Sequence, residues 1–144
     1  MAVKQLKIAG VGEALWDVFR HSEQFGGAPA NFVSHCCMLG ERGFLVSAVG
    51  TDQRGRRAIE RMTELGVNWK YCAIIDGMET GVSTVVLDSK KDAKYEIKEN
   101  VAWDTVRYDP TLFPFFQSLD AICFGTLGQR TENAHLETMK MLTA

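Results

Sequence analysis

Gly26-Gly27-Ala28-Pro29-Ala30-Asn31 is the stretch on which the fold turns. Two adjacent glycines bring bare backbone to a strand–helix junction. Pro29 suits the first helical position, where its missing N–H is harmless. Phe32, Val33, Cys36 and Leu39 then recur at helical spacing, which predicts a helix over 29–39 with Gly40 near its end. Asn31 carries a donor and an acceptor on one side chain and points back toward the helix mouth. That suits a neutral, hydroxyl-rich ligand. The helix start alone would equally suit an anion, so its neighbours must decide.

Working outward, Leu6-Lys7-Ile8-Ala9-Gly10-Val11 reads as a strand, and Gly12 to Phe19 has strand-like bulk with an acid among aromatics. Gly43 to Val49 is a second buried-strand candidate. A helix over about 53–65 follows, with Ile59, Met62 and Leu65 on one face and Gly66 as its stop. Trp69 to Ile75 returns as a strand. Strands alternating with helices in this way predict an α/β sandwich with a mostly parallel sheet.

The rhythm breaks at Thr80. Gly81 to Leu87 and Lys94 to Lys98 flank the polar turn Asp88-Ser89-Lys90-Lys91-Asp92, a β-hairpin signal of the kind that forms a flap over a site. Ala121-Ile122-Cys123-Phe124 resumes as a core strand, with Cys123 expected to be a buried free thiol. Residues 131–144 read as a helix carrying Leu136, Met139 and Leu142. A closing strand–helix pair normally feeds another parallel strand, so the chain reads as one cut partway through its fold.

Composition narrows the function classes. The chain has 144 residues, enough for one domain, and its apolar fraction of 46% and charged fraction of 24% are those of a globular protein. A formal net charge of −2 gives no support for nucleic-acid binding. Arg54, Arg56, Arg57 and Arg61 cluster on the second helix and read as its solvated face. Cys36, Cys37, Cys72 and Cys123 form no C-x-x-C pair or disulfide framework, and no secretory signal is visible, so a reducing cytoplasm is expected. No apolar run approaches the roughly 20 residues needed to cross a bilayer.

Several motifs fall away on inspection. Gly10-Val11-Gly12 follows a strand, but the third glycine of G-x-G-x-x-G is replaced by Leu15 and no helix start follows. There is no G-x-x-x-x-G-K-[ST] loop. His21, His35 and His135 lack metal-ligand spacing, so no metal site is expected. Asp17 is the stronger candidate. An ionised carboxylate can accept from two vicinal hydroxyls at once, and its apolar neighbours Trp16, Val18 and Phe19 would shelter those bonds.

Taken in order, these pieces resemble the PfkB/ribokinase family of carbohydrate kinases, above all its bacterial fructokinase branch. The resemblance is carried by Gly12-Glu13-Ala14-Leu15-Trp16-Asp17, by Gly26 to Ser34, by Leu39-Gly40, and by Val49-Gly50-Thr51-Asp52-Gln53-Arg54-Gly55. Leu65-Gly66-Val67, Thr80-Gly81, Glu99 to Asp104 and Phe124 to Arg130 complete it, so it spans essentially the whole chain. It implies a ribokinase-like α/β/α sandwich over residues 1–144, with a small β-lid built from segments at about 13–26 and 80–99. It also implies that Asp17, Gly26, Gly27 and Asn31 hold the hydroxyls of a sugar such as fructose. Glu96 and Lys98, on one strand face, would reach the substrate from the lid, and Gly125, Thr126 and Gln129 would line the pocket. The complete enzyme would use ATP and Mg2+, and could dimerise through the lid. Family members are about twice this length, and their second half carries the Gly-Ala-Gly-Asp anion hole, the catalytic base and the nucleotide pocket. None of these occurs here, so no catalytic residue is assigned and the 144-residue chain alone is expected to be inactive. The alternative is a non-catalytic form that acts in dimerisation or regulation of an intact kinase.

Overall fold

The computed structural model describes residues 4–87 and 93–144. The polar turn expected at 88–92 lies outside the described residues. Four parallel strands make the main sheet: β1 (Lys7–Val11), β4 (Arg42–Gly50), β5 (Cys72–Ile75) and β8 (Ala121–Phe124), in the order β5-β4-β1-β8. A second four-stranded sheet holds β2 (Leu15–Val18), β3 (Glu23–Gly26), β6 (Gly81–Leu87) and β7 (Ala93–Ile97), in the order β3-β2-β6-β7. The first turn of sequence after β1 therefore leaves the main sheet for the second one, and the chain returns at Gly26 to start a helix.

Helices cover both faces of the main sheet. α1 (Ala28–Met38) and α2 (Gln53–Glu64) pack on one side, where Val33, Leu45, Val49, Ala58 and Met62 join Trp16 and Phe25 in a single core. α3 (Phe113–Gln117) and α4 (Glu132–Leu142) cover the other, where Val11, Val46, Phe116 and Met141 meet Tyr71, Tyr108 and Phe115. The alternation of β4 explains the division, since Leu45 and Val49 point one way and Val46 the other. Trp16 and Phe25 meet edge to face at 5.6 Å and anchor the second sheet to this core.

Several expectations need correction. The strand expected over 69–75 begins only at Cys72, and the one expected over 12–19 is confined to Leu15–Val18 because Gly12 turns at φ 138°. β8 is an edge strand and Cys123 is half-buried, not a core thiol. On α4 the buried face is Ala134, Glu137, Thr138 and Met141, while Leu136 and Met139 are exposed. On α1, Phe32 and Leu39 are likewise exposed, and Pro29, Ala30, Val33 and Ser34 do the packing. Small residues let these helices lie close to the sheet, which a search for large apolar residues overlooks.

The arginines of α2 are more than a solvated face. Arg54 and Arg57 both donate to the Glu23 carboxylate on β3, and the Arg57 guanidinium lies 4.3 Å from the Trp16 ring centroid. They pin the second sheet to α2.

Candidate functional site

The site is assembled where the second sheet hands the chain to α1. Asp17, Gln24, Ser83 and Ile97 stand in one row across all four strands of that sheet. Gly26 lies two residues along β3 from Gln24 and so opens on the same face. A side chain at Gly26 would sit 2.8 Å from Asp17 Oδ2 and 3.8 Å from Asn31 Nδ2. The carboxylate and the carboxamide therefore converge on one bare patch of backbone. Asp17 is half-buried and Asn31 exposed, so both can be reached from solvent.

Gly27 works differently. Its φ of 103° favours glycine, and a Cβ there would strike the backbone carbonyl of Glu13. α1 consequently begins with no capping side chain of its own. Glu13 supplies the cap from a distance. Its Oε1 accepts from the Ala28 N–H at 3.1 Å, so a carboxylate takes one of the open donors at the helix mouth. Glu13 is only 2% exposed, and Oε2 has no partner among the described residues. Burial pushes its carboxyl above the usual carboxylate range, against the opposing pull of backbone N–H donors and of Arg130.

The turn after β8 closes the far side. Cβ atoms at Gly125 and Gly128 would fall 3.8 Å and 3.3 Å from the Glu13 carboxylate oxygens. Gln129 is occupied within this turn, donating to the Gly125 carbonyl at 2.8 Å and facing His135 Nδ1 through Oε1 at 2.8 Å. Thr126 is exposed at its start. Arg130 locks the turn in place: it forks onto Asp104, donates to the Lys98 carbonyl and lies 4.1 Å from the Trp103 ring centroid.

Two expected residues do not join the group. Glu96 pairs with Thr84, one row beyond the Asp17–Ser83–Ile97 row, so alternation puts it on the opposite face, the one that carries Trp16 and Glu23. Lys98 lies just past β7 and is ion-paired with Glu79. The register of a parallel β2–β6 pair links residues more than sixty positions apart, and nothing local in the sequence sets it. Ser83 joins the Asp17 row through the same non-local pairing, which no local signal announces. Glu13 did leave a signal, being the lone charge in the run Val11 to Trp16.

The chain matches the model of the pfkB family carbohydrate kinases over residues 3–143. It belongs to that family. Among curated relatives it is 30% identical over 84 residues to an ATP-dependent 6-phosphofructokinase of Thermoanaerobacterium thermosaccharolyticum, a match covering 51% of this chain and 26% of the relative. Among solved structures it superimposes on a fructokinase of Halothermothrix orenii with a TM-score of 0.84 at 17% identity, covering 96% of this chain and 52% of that one. A putative ribokinase II of E. coli in complex with ATP and Mg2+ gives a TM-score of 0.78 at 19% identity, over 96% of this chain and 48% of that one. The fold is thus the ribokinase-like α/β sandwich. The chain spans about half the length of these solved structures and 26% of the length of the curated relative.

Proposed function

We propose that this chain is the sugar-binding half of an ATP-dependent carbohydrate kinase, fructokinase-like, whose complete form phosphorylates the primary hydroxyl of a ketose. The observation that carries the reading is the convergence of Asp17 and Asn31 on Gly26. Asp17 accepts from two neighbouring hydroxyls of the sugar, and the Asn31 amide donates to a third oxygen. The bare backbone at Gly26 lets the sugar approach both groups. The second sheet acts as the lid, with Asp17 on its inner row. Together they hold the ring in one orientation, which is the positioning half of phosphoryl-transfer catalysis.

The nucleotide and the catalytic base are assigned to the rest of the complete enzyme. At the start of each longer helix of this chain one N–H is already taken: Glu13 accepts from Ala28 N–H on α1, Asp52 from Gly55 N–H on α2, and Thr131 from Ala134 N–H on α4. The groove bordered by Phe19, Val86 and Tyr95 supports a homodimer through the lid sheet. A cytoplasmic setting agrees with four free thiols.

The test is a titration of the chain with fructose by calorimetry, beside a coupled ADP assay with ATP and magnesium. Saturable fructose binding without turnover is expected. Turnover at a kinase rate, on the order of 1–100 per second, would overturn the assignment of a sugar-binding half. Fructose binding unchanged in Asp17→Ala would overturn the site.

A further inference from the structure

The position of Glu13 bears on which sugars the site admits, and this inference rests on the sugar-site reading above. A helix of eleven residues carries partial positive charge at its first turn and draws anions to its N–H groups. α1 begins beside Gly26 and Gly27, next to the proposed sugar-binding pair, where a phosphorylated or acidic substrate would find that charge. The Glu13 carboxylate is there first, taking the Ala28 N–H from a buried position. Gly125 and Gly128 approach the Glu13 carboxylate oxygens, and Gly27 its backbone carbonyl. Its Oε2 is buried without a partner among the described residues, an arrangement that costs more than an ordinary Ser or Asp cap.

Such a cost calls for a function beyond capping. Asp17 adds a second carboxylate across Gly26 from Asn31. Arg130, the guanidinium whose field reaches Glu13, is committed to Asp104, the Lys98 carbonyl and the Trp103 ring. An incoming anion at the Gly26–Gly27 junction would meet the Asp17 carboxylate, with the buried Glu13 carboxylate behind it holding the Ala28 N–H. A neutral hydroxyl would meet the Asp17 acceptor without that repulsion. We propose that Glu13 is a specificity-determining residue, which reserves the site for neutral sugars by holding the α1 N-terminus against the phosphate or carboxylate of a charged one.

The experiment compares fructose, fructose 6-phosphate and inorganic phosphate as ligands of the wild-type chain and of Glu13→Gln. Calorimetry gives the affinity ratio, and the Ala28 amide resonance reports occupancy of the helix end. Glutamine keeps the size and the acceptor and removes the charge. Wild type should prefer fructose over its 6-phosphate by about tenfold or more, and Glu13→Gln should narrow that ratio to about threefold or less. Equal affinities in wild type, or a ratio unmoved by the substitution, would overturn the proposal. If Glu13→Gln fails to fold, the wild-type ratio decides alone. Wild type that binds neither sugar would sink the sugar-site reading, and phosphate then judges Glu13 separately. An Ala28 shift on adding phosphate to Glu13→Gln but not to wild type supports the role, and a shift in both or in neither overturns it.

Discussion

The carboxylate of Asp17 and the carboxamide of Asn31 face each other across Gly26, within 2.8 Å and 3.8 Å of the point where a β-carbon would stand. Asp17 arrives on β2 and Asn31 in the first turn of α1, so two elements from different layers share one surface. Gly26 has no positive φ, and the backbone accepts alanine there. The added methyl would displace the Asp17 carboxylate and fill the space between it and Asn31. Gly26→Ala is therefore expected to keep its native circular dichroism and lose fructose affinity by about tenfold or more, a change of roughly 1.4 kcal/mol. An unchanged calorimetric titration would remove Gly26 from the site.

Arg130 and Asp104 form the least exposed ion pair among the described residues, at 17% and 11% side-chain exposure. Two nitrogens of the guanidinium reach the carboxylate, at 2.8 and 2.5 Å, and the ring of Trp103 covers its face. Arg130→Ala would strand Asp104 and release the Lys98 carbonyl. The expected loss is about 3 kcal/mol, read from urea unfolding. Arg130→Lys should recover little of it, because an ammonium cannot make the two-pronged contact or stack on the indole.

How much of this was legible in the sequence follows from the range of each interaction. The Gly26–Asn31 turn, the α2 stop at Gly66 and the β6–β7 hairpin are set by residues within a few positions of one another, and periodicity and turn chemistry find them. Asp17 stood out because an acid among aromatics is locally anomalous. The lid register is different. Glu96 and Ser83 swap roles depending on a one-residue slip, and that slip is decided by pairing of β2 with the distant β6. Glu13 belongs to a local motif, yet its work depends on Ala28 and Gly128, which only the folded chain brings near. The buried faces of α1 and α4 escape a search for large apolar residues because alanine, serine and threonine pack there.

Asp52 joins α2 to the strand that opens the lid. It accepts from Gly55 N–H at 2.7 Å, from Thr80 N–H at 2.8 Å and from the Thr80 hydroxyl at 2.7 Å. Burial alone would raise its carboxyl, but these hydrogen bonds and the Arg54 charge outweigh it and hold the group below the ordinary carboxylate value. A carboxylate depressed by folding stabilises the native state fully above its unfolded value, near 3.8, and loses that contribution as pH falls through the lower folded value. Asp52→Asn should therefore lower stability at neutral pH by about 1 kcal/mol, the difference between hydrogen bonds to a charged and to a neutral acceptor. Asparagine caps a helix about as well as aspartate, so the cap itself is kept. The gap between variant and wild type should close as pH drops below that range. Thermal midpoints measured from neutral to acid pH check both points, and a gap that stays constant would refute the charge-dependent part.

Glu23 tests how the lid sheet is held. Arg54 and Arg57 donate to its two oxygens at 2.5 and 2.7 Å and keep its carboxyl below the usual range, yet all three side chains are a quarter to two-fifths exposed. Solvent and salt screen such contacts, so Glu23→Gln should cost about 1 kcal/mol or less. That cost should shrink further between low and high salt, while wild-type stability converges on the variant's. The positional effect is expected to exceed the energetic one. Arg57 lies between Glu23 and Trp16, and Trp16 is the residue next to Asp17, so loosening Glu23 lets the inner row of the sheet shift against α1. Fructose affinity in Glu23→Gln should fall several-fold with the fold intact. A variant that loses stability but keeps its affinity would show that the Trp16–Phe25 contact alone fixes the sheet over the cleft.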